Sequence, residues 1–278
     1  MIEVESYRML AEQTLGRTIE SVDSPDDWFL KGGASGPLLQ EILVDSQFVA
    51  ARRIGKLLLL DVDVDVDTDV DVDIDAGPVI GIRFGMTGTL LVDGDDAVGQ
   101  LLYAPTRRQQ IWERWAVTFA DGGRMVIHDP RRLGGVSLDP DVSGLGPDAS
   151  SVGAAGLAAA LAGSSAPLKA RLLDQSRLSG VGNLIADEVL WRAGLSPLQP
   201  AGSLTSVEVR RLHRTLVRTL ADLTARGGSH MGDLMGERHV GGICPNDGCP
   251  LTKSTVGGRT SWWCPAHQES HQESRQER

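Results

Sequence analysis

At 278 residues the chain has room for two domains and a small appendage, each with enough apolar material for a core. No run of 18 apolar residues and no signal-peptide pattern is present, so a cytoplasmic protein is expected rather than a membrane or secreted one. The net charge of −10 argues against a nucleic-acid binder, yet eight Asp lie in one repeat at 61–75, and the remaining charge of about −2 permits a local basic face.

The N-terminal stretch MIEVESYRMLAEQTLGRTI places Val4, Tyr7, Ala11 and Leu15 on one helical face and closes with Gly16. Residues 40–120 read as strands. QFVAARRIGKLLLLDV carries a continuous apolar run, while PVIGIRFGMTGTLLVDG and WERWAVTFADGGRMVIHD alternate apolar residues between Gly- and Asp-rich turns. The expected product is a β-sandwich over residues 1–137. The low-complexity insertion at 61–77, built on DVDVDVDTDVDVDID, lacks the glycine and terminal glutamate of a calcium loop and reads as a solvated, self-repelling hairpin tip.

From about 138 to 165 the composition shifts to Asp, Ser, Gly and Ala, marking a domain boundary, with a helical domain expected over 138–228. Within it, 168–197 reads as helix, turn, helix. Two glycines in Ser179-Gly180-Val181-Gly182-Asn183 allow a sharp turn before a helix that ends at Gly194 and Pro197. Bare N–H groups at such a helix start suit a phosphate, and Asn183 adds an amide; an ordinary helix-helix turn is the plainer reading. Residues 205–226 form the clearest helix. Thr205 and Glu208 make a capping box, Val209, Leu212, Leu216, Leu220 and Leu223 form one stripe, and Arg210, Arg211, Arg214 and Arg218 lie off it as a solvated face.

All three cysteines fall in the last 35 residues, which favours a metal over a disulfide framework. Cys244, Cys249, Cys264 and His267 are the expected ligands of one structural Zn²⁺ in a finger at 238–268, because thiolate is the better zinc ligand, with Asp247 the fallback. A metal-free hairpin packed on Trp262 and Trp263 is the alternative. The repetitive tail at 269–278 should be disordered.

The glycine turn with Lys169 before it and the cysteine cluster behind it resembles the formamidopyrimidine-DNA glycosylase and endonuclease VIII family of bacterial base-excision repair enzymes. The resemblance covers about residues 2–268. It implies an α+β protein: an N-terminal helix and β-sandwich, then a helix–two-turn–helix module and a zinc-finger hairpin. The implied activity is removal of an oxidised base (formamidopyrimidine, 8-oxoguanine or oxidised pyrimidine) from double-stranded DNA and cleavage of the abasic strand. A monomer associated with the nucleoid and with no membrane contact is expected.

Residue by residue, Lys56 matches the family's hairpin lysine beside the lesion, Met86 its wedge methionine, and Arg131 the arginine that pairs with the orphaned cytosine. A solvated lysine and a core methionine are the bland readings of Lys56 and Met86. Leu133 stands where the family often has phenylalanine, and Lys169, Asn183 and Arg259 match phosphate contacts. The segment SHMGDLMGERHVGG reaches the first cysteine directly, so the loop that covers flipped 8-oxoguanine in the family is shortened and the preferred lesion stays open.

The family begins Met-Pro-Glu-x-x-Glu-Val-Glu, and its terminal proline amine attacks the anomeric carbon to expel the base. Here Ile2-Glu3-Val4-Glu5 matches only the second half, and the proline and glutamate have no counterpart. Three residues of extended chain span roughly 10 Å, whereas a nucleophile tolerates an error of about 1 Å. Two expectations follow. Either the start lies three codons upstream, reading Met-Pro-Glu-Leu, or the protein binds damaged DNA without cutting it. A zinc-dependent RNA-binding module is a further alternative.

Overall fold

The structure, a computed structural model, describes residues 1–63, 77–99, 101–105 and 107–268. The chain divides into two compact units. One runs from Glu3 to Val142, and the other joins Met1–Ile2 to Ser143–Arg278. The Asp-Val repeat beyond Asp63 and the terminal tail lie outside the described residues.

The first unit is α+β. Helix α1 (Ile2–Ala11) precedes β1 (Ile19–Asp23), β2 (Leu30–Lys31) and helix α2 (Gly36–Leu43). A hairpin of β3 (Gln47–Ile54) and β4 (Leu57–Asp63) follows, then β5 (Val79–Arg83), β6 (Thr89–Val92) and β7 (Asp95–Asp96). The unit ends with β8 (Glu113–Phe119), β9 (Arg124–His128) and β10 (Gly135–Leu138). The strands form two five-stranded sheets, β1-β8-β9-β6-β7 and β2-β10-β5-β4-β3.

Side chains of both sheets and of α1 meet in one core containing Tyr7, Phe29, Phe48, Trp115 and Phe119. The Leu57–Leu60 run shows why one strand reads as uniformly apolar. Strand β4 is flanked by β5 and β3 in its sheet, and all four leucines are buried although only Leu58 and Leu60 belong to that core.

The second unit is helical. It contains α3 (Ala154–Leu161), α4 (Leu168–Leu173), α5 (Asn183–Ala193) and α6 (Ser206–Ala225), then a hairpin of β11 (Thr252–Val256) and β12 (Arg259–Trp263). The capping box on α6 is present in both directions, and Leu212, Leu216, Leu220 and Leu223 are buried while the four arginines off the stripe are exposed. Gly194 closes α5 in the left-handed conformation at φ 60°. Met1 and Ile2 belong to this unit's core, with Val181 and Ile185. Among the described residues no helix is long and apolar enough to cross a membrane.

Candidate nucleic-acid interface and metal centre

In the sheet unit the sequence brings two loops together around one carboxylate. Asp129 is fully buried, and its Oδ1 accepts from the Thr87 hydroxyl at 2.6 Å and the Arg131 amide at 3.2 Å. Its Oδ2 accepts from the Leu133 and Gly134 amides, both at 2.8 Å. Pro130 has no amide hydrogen to give, and Arg132 adopts φ +56°, so the backbone curls about the acid while the Arg131 and Leu133 side chains stay in solvent. The partner loop lies against it: a Cβ on Gly85, itself at φ +62°, would come within 2.6 Å of the Leu133 Cβ.

Met86 and Leu133 therefore stand on touching loops, 45% and 46% exposed. Met86 is not a core methionine. Beside them the exposed Arg131 guanidinium has no hydrogen-bond or ion-pair partner among the described residues. An apolar pair and an unpartnered cation thus stand together on a base fixed by the Asp129 hydrogen bonds. Lys56, half-buried, sits in the tight Gly55-Lys56 turn between β3 and β4. Arg53 braces that turn by donating to the Gly55 carbonyl at 2.8 Å and to Glu5 at 2.8 Å. Asp129 was missing from the sequence-derived site, although an acid before proline and a run of amides was its signal.

In the helical unit the glycine turn is built as expected. Gly180 takes φ +103°, and a Cβ there would meet the Met1 side chain at 2.9 Å, so the chain's first residue packs on the turn. Gln175 ties the turn together, donating to the Leu173 and Val181 carbonyls at 2.9 and 3.1 Å and accepting from the Gly180 amide at 3.0 Å. Gly182 gives α5 no side-chain cap, and the half-buried Asn183 has a buried Oδ1 with no hydrogen-bond partner. The start of α5 thus carries unused polar groups.

One turn further, Asp187 collects what the sequence left scattered. Its carboxylate accepts from Lys169 at 2.8 Å, from the Ser261 hydroxyl at 2.8 Å, from the Trp262 amide at 3.3 Å, and from Arg238. Lys169 also donates to the Thr260 carbonyl at 2.8 Å and has no exposed surface. The expected phosphate contact by Lys169 is therefore corrected: its ammonium is sealed inside the unit and joins α4 to α5 and the hairpin. Burial draws its pKa down against the pull of Asp187, the usual conflict for an interior lysine. Arg259, by contrast, is exposed just past the Gly257-Gly258 turn and has no partner among the described residues. A Cβ on Gly257 would touch Ala170 at 3.0 Å, so the hairpin tip rests on α4.

At the far end of the finger, Cys244, Asp247, Cys264 and His267 bring their donor atoms within 4.8 Å of one another. Cys249 is outside that set, which corrects the expected ligand list in favour of Asp247. The reason is register: Cys244-Pro-Asn-Asp247 and Cys264-Pro-Ala-His267 are matching turns of equal length, and Cys249 falls two residues past the first. Its amide instead donates to Asp247 at 2.9 Å.

The surroundings suit a metal ion. His267 donates from Nε2 to the Trp191 carbonyl at 3.1 Å, which leaves the Nδ1 lone pair facing the cluster, and the Trp191 indole N–H donates to the Cys244 sulfur at 3.2 Å. Burial and the nearby carboxylate push the Cys264 thiol up to about 11, while Asp247 is held well below its usual range, chiefly by the Cys249 amide. A cation among these donors reverses that balance and favours the thiolates. These four side chains can hold a metal ion.

Comparison with known proteins covers the same two units. The profile described as the formamidopyrimidine-DNA glycosylase N-terminal domain matches residues 1–136, and that of the formamidopyrimidine-DNA glycosylase H2TH domain matches 144–233. A relative from Chloroflexus aggregans, named formamidopyrimidine-DNA glycosylase, is 31% identical over 95% of this chain and 96% of its own length. The chain belongs to the formamidopyrimidine-DNA glycosylase family.

Another glycosylase of that name, from Methylocella silvestris, is 33% identical over 94% of this chain and 97% of its own. A third, from Thermus thermophilus, is 45% identical over 121 residues, 38% of this chain and 45% of its own length. The fold agrees with that of the Lactococcus lactis glycosylase solved on DNA containing an abasic site, at TM-score 0.78 and 22% identity over 97% of this chain and 99% of that one. The Lactococcus lactis glycosylase was also solved on DNA containing a formamidopyrimidine lesion, at TM-score 0.76, 22% identity and the same coverage.

Proposed function

We propose that this chain is a base-excision repair DNA glycosylase that extracts a damaged base from duplex DNA and cleaves the abasic strand. The observation that carries the reading is the paired loop: Met86, Leu133 and Arg131 exposed on a base fixed by Asp129. A nucleotide turned out of the helix leaves a gap whose walls are apolar base faces and whose far side is an unpaired Watson-Crick edge. Two apolar wedges and an unpaired guanidinium match that gap in shape and in hydrogen bonding.

Asn183 and the bare start of α5, together with Arg259, hold backbone phosphates, and Lys56 reaches the lesion. Lys169 acts from inside, keeping α4, α5 and the finger in register. Cys244, Asp247, Cys264 and His267 would hold one Zn²⁺, which supplies a structural crosslink and no chemistry to the reaction. Formamidopyrimidines, 8-oxoguanine and oxidised pyrimidines all remain candidate lesions.

Strand cleavage calls for an amine that condenses with C1′ of the opened sugar, releasing water to give an iminium; a proton then leaves C2′, the 3′-phosphate is expelled, and hydrolysis frees the amine. Borohydride trapping on an abasic duplex tests this with two chains, one of this sequence and one whose start is restored to Met-Pro-Glu-Leu. A covalent adduct with the restored start alone supports a terminal proline as the nucleophile. An adduct with both points to another amine, Lys56 first. Binding of abasic DNA with no adduct from either makes the protein a damage-binding member of the family, and absence of any preference for abasic DNA removes the assignment.

A further inference from the structure

Trp28 is the most exposed of the aromatic residues described in the sheet unit. Trp115, Phe119 and Phe48 are wholly buried, whereas Trp28 is 66% exposed on the short helical turn Asp27–Phe29. It is nevertheless fixed in place. Phe29, the next residue, is fully buried, and Leu30 pairs with Val136 as β2 joins β10. The Lys31 ammonium bonds to the Trp28 carbonyl and lies 4.4 Å from the centre of its ring. The indole N–H has no partner among the described residues.

This turn is also clamped to the loop that carries Arg131 and Leu133. Asp26 binds the Arg132 guanidinium at 2.5 Å and that of Arg114 at 3.3 Å, and Arg114 donates to the Asp129 carbonyl at 2.8 Å. A Cβ on Gly134 would sit 3.1 Å from the Phe29 ring. Trp28 is two residues from Asp26, and Arg132, which Asp26 holds, is next to Arg131, so the ring and the Arg131 side chain are carried by segments clamped to each other.

We infer that Trp28 is a stacking platform for DNA, contacting a base or deoxyribose face of the strand opposite the lesion within about two nucleotides of the gap that Arg131 fills. The inference rests on the proposed glycosylase reading. An indole offers a broad apolar face that any base can cover, and bending a duplex around wedge residues opens base faces beside the wedge. Lys31, Arg131 and Arg132 supply positive charge on the same surface, and Asp27 is the exposed acid adjoining it. Within the fold the ring meets the Lys31 ammonium on the surface, while its neighbours Phe29 and Leu30 do the packing.

The test uses the full chain, a duplex with a tetrahydrofuran abasic analogue, and 2-aminopurine placed one or two positions from the estranged base on the opposite strand. Trp28→Ala should melt as the parent does, weaken binding of the abasic duplex roughly tenfold, and abolish the parent's quenching of 2-aminopurine. Trp28→Phe, which keeps a flat ring, should restore most of both. Arg131→Ala serves as the reference for the glycosylase reading. Unchanged affinity and quenching in Trp28→Ala, while Arg131→Ala loses affinity, overturns this inference and leaves that reading standing. A parent that does not distinguish abasic from intact duplex overturns both.

Discussion

Asp129 and Asp187 are both buried, one in each unit, and they meet opposite company. Asp129 accepts from three backbone amides and one hydroxyl, so its charge is satisfied by neutral donors, and the cation nearest in sequence, Arg131, is left in solvent. Asp187 draws two cations, Lys169 and Arg238, into the interior with it. The first arrangement presents charge outward; the second uses charge to join helices to a hairpin. Basic residues that look alike in the sequence divide accordingly into surface groups and internal struts.

The largest difference in behaviour between the units should come from the proposed zinc site, whose four candidate ligands belong to the helical unit. Structural zinc contributes on the order of 10 kcal/mol in isolated zinc-finger peptides. Asp247→Ala should drop bound zinc from one ion per chain toward none and lower the melting temperature, while Cys249→Ser keeps both. Elemental analysis of the purified variants checks this. Equal metal loss in the two variants would return the ligand role to Cys249.

How much of this could be read beforehand follows the range of the interactions. The α6 stripe and capping box are local patterns, and both were legible residue by residue. So was the Gly180 turn, because few residues besides glycine accept φ +103°. Lys169 was misread because its partner Asp187 is 18 positions away and the Thr260 carbonyl 91, separations that carry no sequence signal. Cys249 falls outside the four-donor cluster for a different reason: ligand preference was weighed above loop register, and register brings Asp247 to the other three donors. The Asp129 carboxylate was given no task, since counting its donors requires the folded loop.

Removing Asp187 should have the next largest effect. Asp187→Ala strands the buried Lys169 and the half-buried Arg238 and leaves the Ser261 hydroxyl and Trp262 amide without that acceptor. Breaking a buried ion pair in this way costs about 3–5 kcal/mol. Urea unfolding followed by probes in each unit should show the helical transition shifted and the sheet transition unmoved. Lys169→Met, which leaves Arg238 on the acid, should cost less. Equal losses from the two variants would mean that Lys169 holds the unit through Thr260 rather than through Asp187.

The smallest of the three changes is the one that best separates folding from function. Asp129→Asn keeps one acceptor oxygen and turns an NH₂ toward amides that also donate, so one side of the loop loses its bonds while the shape is nearly conserved. The cost is about 1–3 kcal/mol, borne by residues 130–134 and Thr87. Arg131→Ala, at an exposed side chain with no partner among the described residues, should change stability by less than about 0.5 kcal/mol. On the proposed reading the two variants should nevertheless lose affinity for an abasic duplex to a similar degree, because one removes the group proposed to fill the gap and the other removes the frame that holds it. Melting curves and binding isotherms of both variants decide the matter. If Asp129→Asn lost stability but bound abasic DNA as the parent does, the buried acid would be a packing device, and the orientation of Arg131 would have to come from the duplex itself.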